Sequence, residues 1–269
     1  MIIDSHSHIG KLPNSQFANI SFEECLKSLL KEMSHNKIDR SLILANDCED
    51  KDHPGLKTIL KLISGLKNIG VIGSINVLDY RQTDLNKIEN LLSERKILGI
   101  KLYTGYRHFY PNDPRCVPIY KLCIKFNVPV IFHSGDTLSD FEIKAKIKYS
   151  HPLHIDEVAT DFPKLKIIIA HLGNPWLIDC AEVLYKNDNV YADISGLVVS
   201  EGLNTPYGAL MKKRIQELMT YCSPRKLLYG TDWPLAPMKS YISFVKSLGI
   251  PKKDLDYIFY KNAVNLFNL

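Results

Sequence analysis

The sequence predicts an α/β fold, a single (β/α)8 TIM barrel, and three observations lead to that prediction. Eight short apolar runs rich in β-branched residues recur along the chain. Helical patterns occupy most of the stretches that separate these runs. The length of 269 residues is close to the roughly 250 residues that one such barrel usually requires.

The eight apolar runs are the predicted strands. They cover residues 2–8, 41–46, 71–77, 97–103, 129–135, 166–173, 190–196 and 227–234. Their first residues lie 24 to 39 positions apart, which leaves room each time for a crossover helix and two loops. Several runs, such as 130–132 and 167–170, are apolar throughout, as expected for parallel strands that are buried on both faces.

Helical periodicity predicts six helices between the strands. They cover residues 22–36, 54–66, 85–96, 114–126, 176–185 and 210–221. In the first of them Leu26, Leu29 and Met33 recur on one face. Ser21 precedes this helix and Asp113 precedes the fourth, and both residue types are typical of helix starts.

An open doubly wound sheet is the alternative fold, but the expected glycine-rich phosphate loop is missing after the first strand. The chain reads I-G-K at 9–11 where that fold has G-x-G-x-x-G. No linker divides the chain, so we expect one domain over residues 1–269. The loops 103–114 and 135–152 are the longest, and the second has room for a short helix. In a barrel both would overhang the active face.

The charge balance argues against several classes of partner. Lys and Arg number 34 against 29 Asp and Glu, and the formal net charge of +5 is spread over many segments. We therefore expect a small-molecule substrate, with neither nucleic acid nor a membrane as partner. The N-terminus lacks a secretory pattern and no apolar run approaches about 18 residues, so a cytoplasmic protein is expected. Six cysteines without a C-x-x-C pair are expected to be reduced thiols.

Four of the nine histidines stand at the ends of predicted strands, namely His6, His8, His133 and His171. Residues i and i+2 of a strand face the same way, so His6 and His8 can direct two imidazoles to one point. His133 ends the fifth strand and can reach the same point from across the barrel mouth. Asp232 ends the eighth strand, which adjoins the first when the barrel closes. The sequence therefore predicts a metal site at the C-terminal ends of the strands.

One divalent ion suits this set of imidazoles and one carboxylate. Zn²⁺ is the first choice, and Mn²⁺, Fe²⁺ and Co²⁺ are compatible with the same ligand types. No thiolate joins the set, which disfavours a closed structural zinc site. Three histidines and one aspartate also leave room for the water that a catalytic ion needs. The alternative interpretation is that these histidines are packed in the core and hydrogen bonded there.

Seven short motifs follow one another along the whole chain. They are D-S-H-S-H at 4–8, G-I-K-L-Y at 99–103, F-H-S-G at 132–135, A-H-L-G at 170–173, Y-A-D-I-S-G at 191–196, L-Y-G-T-D-W-P at 228–234 and N-A-V-N-L-F at 262–267. With these motifs in this order, the sequence resembles the amidohydrolase superfamily. Within it, the sequence is similar to the amidohydrolase-2 group, which includes hydrolases and the aminocarboxymuconate-semialdehyde decarboxylase type.

The resemblance implies roles for particular residues. It implies that His6, His8, His133 and Asp232 bind the metal ion. It implies that His171 acts on the substrate or, in two-metal members, binds a second ion. Lys101 stands where two-metal relatives have a bridging carboxylated lysine. A single ion is more usual in the amidohydrolase-2 group, and the other roles for this lysine are binding a substrate anion or forming an ion pair in the barrel.

A second family shares the opening motif. The TatD-like metal-dependent nucleases also begin with a D-x-H-x-H pattern, but a glutamate-bearing G-E-I-G strand is expected where this chain has G-I-K-L at 99–102. The dispersed charge also argues against a DNA substrate. The nuclease resemblance is therefore the weaker one.

The sequence thus predicts a metal-dependent hydrolase that cleaves an amide, lactone or ester. In this hypothesis Asp232 takes a proton from the metal-activated water and delivers it to the leaving group, while His171 polarises the carbonyl. Arg107 is the candidate for binding an anionic group of the substrate, and Trp233 is a candidate for lining the substrate pocket. The alternative functions are a metal-dependent non-oxidative decarboxylase and a non-catalytic barrel. A homodimer is expected by analogy with other barrels.

Overall fold

A computed structural model describes residues 1–12, 15–137, 144–199 and 205–269. Eight parallel strands pair in chain order in one sheet, which confirms the predicted (β/α)8 barrel. The strands are β1 (Ile3–Ser7), β2 (Arg40–Leu44), β3 (Ile69–Ser74), β4 (Ile100–Leu102), β5 (Val130–Phe132), β6 (Ile167–Ile169), β7 (Val190–Asp193) and β8 (Leu227–Leu228).

The barrel closes between β1 and the segment that follows β8. The Asp232 N–H donates to the His6 carbonyl at 2.7 Å, and the His8 N–H donates to the Trp233 carbonyl at 2.7 Å. Ser7 and Trp233 form a parallel bridge between these two hydrogen bonds. The backbone therefore places the end of the eighth strand directly beside the histidines of the first.

All eight strands end earlier than predicted, and the difference is largest in β6 and β8, where the chain turns at buried or half-buried residues. After β6 the backbone turns through His171 and Leu172, whose φ angles of 58° and 49° lie in the left-handed region. Asp232, after β8, has a φ of 61°. Because Leu172 is itself buried, the apolar run continues past the point where strand pairing stops. Hydrophobicity alone therefore overestimates the length of both strands.

The helices lie outside the sheet, except at the C-terminus. They are α1 (Phe22–Asn36), α2 (Leu56–Leu62), α3 (Gln82–Ser93), α4 (Val117–Phe126), α5 (His154–Asp161), α6 (Leu177–Lys186), α7 (Pro206–Tyr221), α8 (Met238–Lys246), α9 (Lys252–Asp256) and α10 (Asn262–Phe267), with a π-helical turn, Tyr257–Lys261, before the last. The first has its predicted bounds, and Ser21 and Glu24 cap it reciprocally.

The other predicted helices are present with shifted ends, and α5, α8, α9 and α10 were not predicted. These four are too short for an amphipathic pattern to repeat many times. In the loop 135–152 a single 3-10 turn, Ile147–Tyr149, occupies part of the stretch where a short helix was expected, and residues 138–143 lie outside the described residues. No helix within the described residues has the length and apolar character needed to cross a membrane.

Apolar side chains fill the barrel interior and its N-terminal end. Leu42 and Leu44 point into the interior, whereas Ile43, between them, packs in the layer under the helices. Phe267 of α10 joins the interior cluster, and the chain end is fixed nearby because Arg95 Nη2 donates to the Asn268 carbonyl at 2.6 Å. The polar side chains of the interior are thus gathered at the opposite, C-terminal end of the strands.

Candidate metal centre

His6, His8 and Asp232 converge at the C-terminal end of the barrel, and we call these three side chains the candidate ligand cluster, or ligand cluster for short. The Nε2 atoms of His6 and His8 are 3.3 Å apart. Asp232 Oδ1 lies 3.6 Å from His6 Nε2 and 3.3 Å from His8 Nε2. The i, i+2 spacing on β1 turns both rings the same way, and the hydrogen bonds that close the barrel bring the carboxylate to them.

His6 Nε2, His8 Nε2 and Asp232 Oδ1 are spaced as the ligands of a divalent ion would be. For ligands about 2.1 Å from an ion, tetrahedral and octahedral geometry separate neighbouring ligand atoms by about 3.0–3.4 Å, close to the observed spacing. Burial lowers the pKa of His6 to about 4, so its imidazole is neutral at neutral pH, as a metal ligand must be. Burial opposes ionisation of Asp232, but His171, His8 and His6 hold its pKa well below the usual value.

Asp4 fixes the turn that carries Asp232. Its Oδ1 accepts from the backbone N–H of Thr231 at 3.0 Å, and its Oδ2 accepts from the Thr231 hydroxyl at 2.6 Å. The same Oδ1 accepts from the His6 N–H at 3.2 Å. Burial raises the pKa of Asp4 to about 7. Asp4 thus joins the first and eighth strands beneath the ligands.

Asp193, at the end of β7, orients His6 from the side away from the ligand cluster. His6 Nδ1 lies 2.8 Å from Asp193 Oδ2. Burial favours the neutral carboxyl, but His6, His171 and Lys101 hold the pKa of Asp193 well below its usual value. An ionised carboxylate can only accept, so the hydrogen of His6 is on Nδ1 and its Nε2 keeps the lone pair that an ion needs.

His133 and His171 lie beside the group of His6, His8 and Asp232 but do not belong to it. The His171 ring is 4.8 Å from the His6 ring and 5.2 Å from the His133 ring, measured between centroids. His133 Nε2 is 3.0 Å from the Asp136 carbonyl, which leaves Nδ1 as the atom with a lone pair in the neutral ring. Within the described residues two groups could hold an ion, one of His6, His8 and Asp232 and the other of His6, His171 and Asp193. His133 belongs to neither, so its ligation stays a prediction.

Lys101, on β4, places a cation inside the barrel. The side chain is 1% exposed, and Nζ has no hydrogen-bond partner among the described residues. Burial lowers its pKa to about 8, while the charges of Asp193 and Asp232 act in the opposite direction. A buried ammonium without a hydrogen bond is costly unless an anion compensates it, so Lys101 is suited to an anionic ligand.

Arg107 and Trp233 have other contacts in this structure. Arg107 Nε and Nη2 donate to the two carboxylate oxygens of Asp47 at 2.8 and 2.9 Å, which connects the loops after β4 and β2. Trp233 is 1% exposed and packs against Phe17, with ring centroids 5.0 Å apart. Contact of either side chain with a substrate stays a prediction.

Sequence reasoning gave no role in the site to Ser195 and no definite one to Asp193. Both belong to the Y-A-D-I-S-G motif at 191–196, and their position at the end of a predicted strand is the feature of the sequence that could have pointed to the site. The following residue, Gly196, has a φ of 64°, and a Cβ atom there would lie 2.8 Å from Asp232 Oδ2. Only glycine leaves enough space at this position for the carboxylate.

Solved structures share this fold over almost their whole length. An uncharacterized TIM-barrel protein from Bordetella bronchiseptica has a TM-score of 0.76 at 21% identity, covering 99% of this chain and 98% of that one. A probable 2-pyrone-4,6-dicarboxylic acid hydrolase from Acinetobacter baumannii, with citric acid bound, has a TM-score of 0.71 at 15% identity, covering 100% and 99%. The 5-carboxyvanillate decarboxylase from Sphingomonas paucimobilis has a TM-score of 0.71 at 14% identity, with the same coverage. At these identities the likeness shows the fold alone.

Sequence comparison identifies the family. No curated protein sequence shows significant similarity to this chain. The family model Amidohydro_2, described as amidohydrolase, matches residues 33–269, which is most of the chain and includes His133, His171 and Asp232. His6 and His8 precede the matched residues, but β1 pairs with β2 and closes against the eighth strand in the same barrel. The chain therefore belongs to the amidohydrolase family described by Amidohydro_2.

Proposed function

We propose that this protein is a metal-dependent hydrolase that cleaves a C–N or C–O bond in a small anionic amide, lactone or ester. The observation that carries the proposal is the convergence of His6 Nε2, His8 Nε2 and Asp232 Oδ1 within 3.3–3.6 Å of one another. Such a cluster at the C-terminal ends of barrel strands is where enzymes of this fold keep their active sites. Membership of the amidohydrolase family supports the same chemistry.

The ligand set favours Zn²⁺, and Mn²⁺, Fe²⁺ and Co²⁺ suit the same donors. His6, His8 and Asp232 would hold the ion, and His133 would complete the set from across the cavity. When bound, such an ion lowers the pKa of a coordinated water towards neutrality and polarises a carbonyl. Cys48 is the one exposed cysteine and the other five are buried, and no thiolate belongs to the cluster.

The protein side chains supply proton transfer and orientation. Asp232 is ionised and would take the proton of the attacking water and deliver it to the leaving group. Its Oδ2 faces Gly196, and the same glycine borders His171. The carboxylate of Asp232 and the imidazole of His171 thus both pack against Gly196. Asp193 keeps the His6 lone pair directed to that cluster.

Lys101 is proposed to bind an anionic group of the substrate and not to bridge two ions. Lys101→Met is therefore expected to keep the wild-type content of one ion per chain. It is expected to raise KM for a carboxylated substrate about ten- to a hundredfold, since a hydrogen bond to a charged group contributes about 1.5–3 kcal/mol. Elemental analysis and steady-state kinetics measure the two effects. Two ions in the wild type, with one lost in the variant, would instead make Lys101 a bridging ligand.

Arg107 is proposed to assist in recognising the same anion from the loop after β4. Arg107→Lys keeps the charge but loses the two-pronged geometry, so KM for an anionic substrate should rise about tenfold with little change in kcat. Arg115 offers a matched control because it forms the same type of pair with Asp113, at 2.9 and 2.7 Å, on an exposed side chain. Equal KM values for Arg107→Lys and Arg115→Lys would exclude a substrate role for Arg107.

A decarboxylase is the second candidate. The buried Lys101 ammonium favours a substrate that places a carboxylate inside the barrel, and one solved structure of this fold is a 5-carboxyvanillate decarboxylase. In this reaction the carboxylate would be held, CO₂ would leave, and a proton would reach the carbon. The same residues would therefore support a lyase reaction.

The deciding experiment is a screen of the Zn²⁺-loaded protein against lactones, amides and aromatic or unsaturated carboxylates in H₂¹⁸O. Hydrolysis predicts acid release with ¹⁸O in the product and no CO₂. Release of CO₂ without ¹⁸O incorporation would replace the hydrolase proposal with the decarboxylase. A protein that binds no divalent ion would contradict both.

A further inference from the structure

Ser195 lies between His6, His171 and the carboxylate of Asp193. The residue follows β7 and is completely buried. Its Oγ lies 2.9 Å from His171 Nδ1, 3.1 Å from His6 Nδ1 and 2.5 Å from Asp193 Oδ1. Three polar atoms thus compete for one hydroxyl group, which has a single hydrogen to donate.

The distribution of hydrogens in this network follows from which atoms can only accept. Asp193 Oδ1 already accepts from the backbone N–H groups of His171 and Ser195, at 3.0 and 3.1 Å, so it is an acceptor for the Ser195 hydroxyl as well. Ser195 Oγ can then only accept from the histidines. His171 Nδ1 also lies 3.1 Å from the Ser195 carbonyl oxygen, which is another acceptor. Two acceptors around one ring nitrogen require that this nitrogen carry the hydrogen.

We propose that Ser195 is a positioning residue which, with Asp193, holds neutral His171 as the Nδ1–H tautomer and leaves the lone pair on Nε2. The backbone supports this orientation, because the His171 N–H donates to Asp193 Oδ1 at 3.0 Å. The catalytic meaning of the inference rests on the proposed function. With the lone pair on Nε2, neutral His171 accepts a proton or a hydrogen bond at that atom.

His171 thus has a different role from the one expected from the sequence, in which it polarises the substrate carbonyl. A neutral ring with its hydrogen on Nδ1 cannot donate from Nε2 to a substrate carbonyl. Donation from Nε2 requires that the ring first take up a proton there. His171 is therefore assigned as a proton acceptor, whereas His6, held through Nδ1 by the same Asp193, presents its Nε2 to the ligand cluster.

The test is ¹⁵N NMR of histidine-labelled full-length protein, measured after chelator treatment and again after loading with Zn²⁺. His171→Asn identifies the signals of His171 by their disappearance. In the wild type we expect a protonated Nδ1 and an unprotonated Nε2. Ser195→Ala and the nearly isosteric Ser195→Cys are expected to lower the ratio of Nδ1–H to Nε2–H tautomer about fivefold, as one hydrogen bond worth about 1 kcal/mol is lost.

Ser41→Ala is the matched control because Ser41 is also fully buried and its hydroxyl is hydrogen bonded, at 2.6 Å to Ser7 Oγ. It should leave the His171 signals unchanged. An Nε2–H signal for His171 in the wild type would overturn the tautomer assignment. An unchanged ratio of Nδ1–H to Nε2–H tautomer in the folded Ser195 variants would overturn the role of Ser195. Failure to bind Zn²⁺ would contradict the proposed function but would leave the measurement on chelator-treated protein valid.

Discussion

His6→Ala is expected to abolish divalent-metal binding and to lower activity about a thousandfold, equivalent to about 4 kcal/mol of transition-state stabilisation. His6 is completely buried, and its Nε2 faces both His8 and Asp232. Truncation removes a ligand atom that no other side chain of the cluster can replace. Asp232→Asn should have a comparable effect on metal content, because a neutral amide of the same shape is a poorer ligand and accepts no proton. Metal content is measured by elemental analysis after equilibration with Zn²⁺.

His35→Ala serves as the control for losing an imidazole. This histidine is exposed in the last turn of α1 and should affect neither metal content nor activity. Circular dichroism separates loss of the ion from loss of the fold. Full metal content in both His6→Ala and Asp232→Asn would show that the ion is held elsewhere.

Gly196→Ala is expected to destabilise the protein by about 2–3 kcal/mol and to lower its affinity for the ion. The residue has a φ of 64°, and an added Cβ would lie 2.8 Å from Asp232 Oδ2 and 3.3 Å from His171 Nδ1. The methyl group therefore meets two functional side chains at once. To relieve the clash with the added methyl group, the Asp232 carboxylate must move, and this movement would separate its Oδ1 from His6 and His8. Denaturant unfolding and zinc titration measure the two effects.

Gly65→Ala separates backbone strain from crowding at the site. Gly65 has a φ of 86°, and an added Cβ would find nothing within 4 Å. We expect a cost of about 1 kcal/mol, from the left-handed backbone alone, and unchanged metal affinity. Equal destabilisation in the two variants together with unchanged zinc affinity in Gly196→Ala would mean that Asp232 does not occupy this space in solution.

The sequence was sufficient for the fold because the barrel repeats a simple pattern. Buried parallel strands are apolar on both faces, so each strand appears as a run, and the runs recur at βα intervals. Strand ends were less predictable. At His171 and Asp232 the chain turns with positive φ inside the protein, and the residues that turn are themselves buried or half-buried. The short helices α5 and α8 were missed because each has only eight or nine residues, fewer than are needed to recognise a helical period in a sequence.

The proximity of His6, His8 and Asp232 could also be anticipated, because strand alternation and barrel closure determine which side chains meet. The hydrogen-bond network behind them could not. This network depends on the distances from the Ser195 hydroxyl to atoms of three different residues. Such distances cannot be obtained from the spacing of residues along the sequence. For the same reason the sequence suggested Arg107 as a substrate contact without showing that Asp47 engages two of its nitrogens.

X-ray absorption at the zinc K-edge of the Zn²⁺-loaded protein tests most directly whether these side chains form a metal centre. Ligation by His6, His8 and Asp232, with or without His133, predicts a shell of nitrogen and oxygen atoms at about 2.0–2.2 Å with the multiple scattering of imidazole rings. That imidazole signal should fall in His8→Ala. A sulfur shell at about 2.3 Å, or an all-oxygen shell without imidazole scattering, would contradict the site.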